Sequence, residues 1–164
     1  MRTVFLLAAA AFPLAASLAA EPLPMPQGRS SRLVLGADGV QIYACEPRDG
    51  RHAWVFKGPE AALFDGSGRQ VGTHGAGPFW RIAADGSMVT GEVAASSPSP
   101  AAGAIPWLLL RARAHEGEGA MAGVMWIRRV DTAGGTAPAQ GCDASQAGSV
   151  ARMRYSATYE FLGE

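Results

Sequence analysis

The densest run of residues able to contact a ligand is His74-Gly75-Ala76-Gly77-Pro78-Phe79-Trp80-Arg81, followed closely by Asp85-Gly86-Ser87. A histidine titrates near neutral pH and can give or take a hydrogen bond. A tryptophan offers a flat apolar wall with one donor at its edge. The glycines let backbone approach closely, and Pro78 fixes the path into the next segment. The run therefore reads as a pocket rim, with His74 as a polar contact, Trp80 as a wall and Arg81 facing an anionic group. The competing reading is a sheet corner, with Trp80 in the core and His74 capping a turn. On the pocket reading, Trp80→Ala and His74→Ala reduce binding and leave the fold intact.

Trp54 and Glu60 complete the candidate ligand-binding set. Four tryptophans (Trp54, Trp80, Trp107, Trp126), with Tyr43, Tyr155 and Tyr159, can line a small-molecule or carbohydrate pocket, or serve as core. His74 with Asp85 or Glu60 nearby is the one arrangement that suggests general-base chemistry in a hydrolase or lyase. The sequence supplies no nucleophile motif beside it: there is no Gly-x-Ser-x-Gly elbow, His-Glu-x-x-His, phosphate loop or dinucleotide fingerprint. His52, His74 and His115 are widely separated and have no metal-ligand spacing, so neither a metal nor a cofactor is expected.

These residues sit in a chain of 164 with a clear order of segments. Arg2, then the apolar run Val4 to Ala16, then Ser17, Ala19 and Ala20 have the order of a secretory signal. Cleavage is expected after Ala19, with Ala20 as the alternative. The run falls short of the about 20 apolar residues that a membrane-spanning helix needs, although an uncleaved anchor is the competing reading. The segments are thus a signal at 1–19, a Pro-rich lead-in at 20–32 and one β-domain at 33–164. Of the 14 basic residues Arg2 leaves with the signal, against 14 acidic ones, so the mature charge is near minus one. That balance argues against nonspecific nucleic-acid binding. An exported chain lives in an oxidising compartment, where Cys45 and Cys142 are most simply a disulfide; two free thiols are the alternative. Closing a loop of about 100 residues stabilises by about 4–5 kcal/mol in the chain-entropy argument. The expected location is periplasmic or extracellular, with no transmembrane segment in the mature protein.

The elements that must position these side chains are short strands. Expected strands are Val40–Cys45, His52–Lys57, Ala61–Phe64, Arg69–Thr73, Phe79–Ala83, Ser87–Val93, Ile105–Ala114 and Met121–Val130. Asp49-Gly50 and Asp85-Gly86 are turn signals. In the last segment Met153, Tyr155, Ala157, Tyr159 and Phe161 alternate with polar residues, which means one buried and one wet face. Ala94–Gly103 and Thr132–Ser149 read as long loops. No apolar stripe at helical spacing is long enough for a secure helix. Eight or nine strands at this spacing give an all-β fold, an antiparallel barrel or a sandwich, with the barrel favoured.

Many ordered short motifs also resemble one family. They are Gly39-Val40-Gln41-Ile42-Tyr43-x-Cys45, Trp54-x-Phe56, Pro59-Glu60-Ala61-x-Leu63, His74-x-x-Gly77-Pro78-x-Trp80 and Asp85-Gly86-Ser87. Ile105-Pro106-Trp107-Leu108-Leu109, Ile127-x-Arg129-Val130-x-Thr132-x-Gly134-Gly135-x-x-Pro138, Gly141-Cys142 and Tyr155-Ser156-Ala157-x-Tyr159-x-Phe161 continue the pattern. From about Leu33 onward the chain resembles the domain-of-unknown-function family 3455 of exported bacterial and fungal proteins. The resemblance implies export, a single domain and a mainly β fold, and carries no activity. Gly75-Ala76 departs from it, since a bulkier aromatic is expected after the histidine.

Three functions follow as expectations. The first is a noncatalytic exported β-domain that binds a small, partly apolar ligand or a cell-envelope partner. The second is an envelope enzyme using His74. The third is a structural or assembly role through exposed strands.

Overall fold

The computed structural model describes residues 23–164; the expected signal peptide lies outside the described residues. Eight antiparallel strands follow one another around a single ring-like sheet. They are β1 (Ser30–Arg48), β2 (Arg51–Phe64), β3 (Gln70–Gly75), β4 (Phe79–Ile82), β5 (Met88–Ser97), β6 (Trp107–Glu116), β7 (Trp126–Gly134) and β8 (Val150–Gly163). Each strand pairs with its sequence neighbours, and β1 with β8 closes the ring. The choice between barrel and sandwich therefore falls to one closed sheet. Closure removes the free edges that an open sheet would expose. Among the described residues no helix is long and apolar enough to cross a membrane.

The period-two pattern of β8 is the clearest link from sequence to packing. Tyr155, Ala157, Tyr159 and Phe161 are buried inside the ring, as their alternation requires. Leu35, Ala37, Leu63, Ile82, Val89, Leu110 and Ile127 join them from the other strands. A smaller cluster of Leu23, Leu109 and Val130, with Trp107 and Trp126 packed on it, forms separately. Leu23 precedes β1 and so brings part of the expected lead-in onto the sheet.

Several element boundaries differ from the sequence expectation. His52–Lys57 and Ala61–Phe64 are one strand, because β2 runs through Gly58-Pro59 as a bulge. Tyr43 pairs with Phe56 and Ile42 with Gly58, so Lys57 is the extra residue. Gly58 takes φ +145°, a conformation that side chains rarely adopt, and Pro59 is tolerated at such an irregularity. β5 extends through Ala94–Ser97, whose backbone pairs with β6 despite the low-complexity composition. β7 starts only at Trp126; Met121 and Val124 precede it in turns yet are buried. Thr132 belongs to β7 and is buried, its hydroxyl donating to the Ile105 carbonyl at 2.6 Å.

Two devices hold the turns that flank the site. Asp85 Oδ1 accepts from the Ser87 backbone N–H (2.8 Å) and hydroxyl (2.6 Å), while its Oδ2 accepts from the Ala120 N–H (2.9 Å). The disulfide joins Cys45 on β1 to Cys142, with Cα atoms 5.4 Å apart. It pins the segment between β7 and β8, which contains only the short 3-10 turn Ala144–Gln146.

Candidate functional site

A cavity of about 200 Å³ opens into the ring between β2, β3, β4, β6 and β7. Strand register puts its aromatic wall together. His74 on β3 lies directly opposite Trp80 on β4. Their rings stack, with centroids 4.6 Å apart and planes 12° from parallel. Tyr159 on β8 meets both, at 4.9 Å from the His74 ring and 5.4 Å from Trp80. Tyr159 is in turn directly opposite Arg129 on β7, and Arg129 opposite Leu108 on β6. Gln41 on β1 completes the polar lining. Leu110, Pro59 and Pro78 add apolar wall, and Phe56 and Val93, 50% and 57% exposed, stand at the mouth.

The polar groups here form a small chain. Gln41 and Trp80 are only 2% and 1% exposed. The Tyr159 hydroxyl interacts with Tyr155 and Arg129, and Tyr155 with Gln41, whereas Trp80 Nε1 is buried without a hydrogen-bond partner among the described residues. Leaving a buried polar group unsatisfied costs about 1–3 kcal/mol, so the Trp80 indole calls for an explanation. Arg129 donates from Nε and Nη2 to the Pro106 carbonyl, at 3.1 and 2.8 Å. Among the described residues no carboxylate forms an ion pair with it, whereas Lys57 at the mouth is paired with Glu46. The cavity thus carries one positive charge with no acidic partner.

His74 has a defined protonation. Its Nδ1 lies 2.7 Å from the Phe79 carbonyl, which can only accept, so Nδ1 carries the proton and Nε2 the lone pair. Burial pushes its pKa down to about 4, the Phe79 hydrogen bond opposes this, and the Arg129 charge adds to it. Burial likewise raises the Tyr159 hydroxyl, opposed by the Arg129 charge and by hydrogen bonding with Tyr155 and Arg129. A stability consequence follows with a fixed sign. The unfolded histidine titrates near 6.5 and the folded one near 4, so the unfolded state binds the extra proton between those values. His74's contribution is complete above pH 6.5 and is lost as pH falls toward 4, by up to about 3 kcal/mol. Urea melts across this range are expected to show that slope in the wild type and to lose it in His74→Gln. Asp65 and Asp85, held low chiefly by hydrogen bonds from Ser67 and Ser87, act only below about pH 4.

Of the residues singled out from sequence, the structure brings His74 and Trp80 together in this cavity. Arg81 does not line it: its guanidinium binds the Gly86 carbonyl, the Met88 sulfur and Glu116. Trp54 donates to the Gln140 carbonyl at 3.0 Å, beside the disulfide-bearing segment. Glu60 pairs with Arg152 on an exposed face. Tyr159 belongs to the aromatics expected to line a pocket or serve as core, and it does both. Gln41 and Arg129 stand in the family-like motifs but carry no local signal for a site, since an inward polar residue looks like any other in a strand. The Gly75 departure also has a physical account. A Cβ there would lie 2.5 Å from the Phe79 ring, so the aromatic bulk over this position comes from the facing strand instead.

No curated protein and no solved structure matches the chain significantly. The family described as Protein of unknown function (DUF3455) matches residues 26–163, nearly the whole chain, and the chain belongs to that family.

Proposed function

We propose that this chain is an exported, noncatalytic β-domain, spanning about residues 33–164, that binds a small, partly apolar molecule in the cavity between His74, Trp80, Tyr159 and Arg129. The observation that carries the reading is an apolar-walled cavity whose lining holds an arginine that no described carboxylate pairs with, beside a buried indole N–H without a partner among the described residues. A ligand that pairs with the arginine gains binding energy there. The apolar walls supply the rest by excluding water from the ligand's body. The Cys45–Cys142 disulfide fits the oxidising compartment that export implies.

The chemistry of His74 favours binding over catalysis. A base near pKa 4 has little driving force to take a proton at neutral pH. Asp85 is occupied by three hydrogen bonds at its turn, and Glu60 by Arg152. Native mass spectrometry tests the reading on protein purified from its own host without denaturation. The expected result is a mass excess that vanishes on denaturation and is absent from Val93→Trp. Val93 is exposed at the mouth, so the larger ring obstructs entry while the melting temperature stays within a few degrees. The same excess in both proteins would place the ligand elsewhere, and two bare proteins would count against a tightly held one.

A further inference from the structure

Resting on the binding reading above, we infer that the ligand is a small monocarboxylate with a flat or compact apolar body about the size of one ring. Three observations converge on this class. The first is charge. Arg129 is the cationic lining residue without an acidic partner among the described residues, since Lys57 is tied to Glu46. One uncompensated positive charge in a partly buried site is best met by one negative charge; a phosphate dianion would remain half unpaired. Two of the five guanidinium N–H groups are used on the Pro106 carbonyl and the side chain also meets the Tyr159 hydroxyl, which still leaves N–H groups for a carboxylate.

The second observation is the polarity of the lining around that arginine. The Trp80 indole N–H, buried without a partner among the described residues, is a donor only, and the Tyr159 hydroxyl beside Arg129 can donate. His74 adds an acceptor, its Nε2 lone pair. Such a lining wants a ligand rich in acceptors, and two carboxylate oxygens supply several acceptor sites in one small group. A substituent that donates a hydrogen bond, such as a hydroxyl, would find its place at His74. The third observation is size. An apolar cavity of about 150 Å³ holds benzene, so about 200 Å³ holds one ring with a carboxylate. The Trp80, Leu108 and Leu110 side chains then cover its apolar body.

Titration calorimetry with benzoate, benzamide and inorganic phosphate as probes decides the matter. Benzoate and benzamide share shape and differ in charge. The wild type is expected to bind benzoate at least tenfold more tightly than benzamide and to show no heat with phosphate. Arg129→Gln should bring benzoate down to the benzamide level and leave benzamide unchanged, while Arg129→Lys keeps part of the preference. Equal affinity for the two ring probes, or saturable binding of phosphate, would overturn the carboxylate inference and leave cavity binding intact. Binding of none of the probes by the folded wild type would overturn the binding reading together with the inference. The wild-type series gives these answers even where Arg129→Gln fails to fold.

Discussion

Trp80→Ala should lower the stability of the protein by about 3–5 kcal/mol, a loss large enough to unfold a marginal domain. The indole is 1% exposed and sits at the centre of the aromatic cluster. It stacks on His74 and meets Tyr159 and Phe161 edge-on, at 5.4 and 6.1 Å. Gly91 on β5 leaves room for it: a Cβ there would lie 3.3 Å from the Trp80 ring. Removing the ring takes away its buried area and leaves a void that the closed sheet can collapse only in part. Urea unfolding followed by circular dichroism measures the loss, with Trp80→Phe as a milder variant of the same sign. A cost below about 1 kcal/mol would mean that the ring is not packed as described. This prediction also corrects the expectation that Trp80→Ala removes binding alone. Trp80 serves the sheet corner and the pocket at once, so its truncation reports on the fold, and the mouth residue Val93 is the cleaner probe of the ligand.

Loss of the disulfide is the second large effect. The paired variant Cys45→Ser with Cys142→Ser is expected to cost about 2–5 kcal/mol. The reason lies in what else holds the segment between β7 and β8. Nearly all of its side chains from Thr136 to Gly148 are exposed or half-exposed, so burial contributes little there. Beyond the ties of Gly135 and Thr136 to Tyr43, Ala104 and Gly103 at its start, it is held by the Trp54 indole to the Gln140 carbonyl and two backbone bonds at Cys45. The Cys45 N–H donates to the Ser149 carbonyl at 2.8 Å, and the Gly148 N–H donates to the Cys45 carbonyl at 2.9 Å. Cutting the link restores entropy to a long loop in the unfolded chain and removes the restraint beside the two backbone bonds at Cys45. Hydrogen exchange should show the loss first at Gly148 and Ser149, ahead of β8. Equal stability of the oxidised protein and the double serine variant would show that the loop orders itself.

The two effects fall on features of different legibility. Cys45 and Cys142 could be paired from compartment chemistry, and the face of β8 from alternation. Asp85-Gly86 gave its turn because the side chain and the glycine each favour that local conformation. The errors lie where long-range pairing overrides local signals. Gly58-Pro59 looks like a strand break, yet β1 runs alongside on both sides of it, and a bulge is cheaper than ending the ladder. Ala94–Ser97 looks like a loop because its side chains are small, but backbone pairing with β6 does not consult side chains. The site divides the same way. His74 and Trp80 stand close in sequence at a Gly-Pro corner and were found as a pair. Gln41, Arg129 and Tyr159 come from β1, β7 and β8, and only ring closure brings them to that pair.

The most direct test of cavity binding is a ¹H–¹⁵N correlation spectrum of the tryptophan indoles during titration with benzoate, benzamide and benzyl alcohol. Trp80 lines the cavity and its Nε1–H has no partner among the described residues, whereas Trp54 Nε1–H is bonded to Gln140 and Trp54 does not line the cavity. Ligand entry predicts a saturable shift of the Trp80 indole and the Gln41 side-chain amide with at least one probe, while Trp54 stays in place. A Trp80 signal unmoved by all three probes, or one that moves only in step with Trp54, would contradict the account.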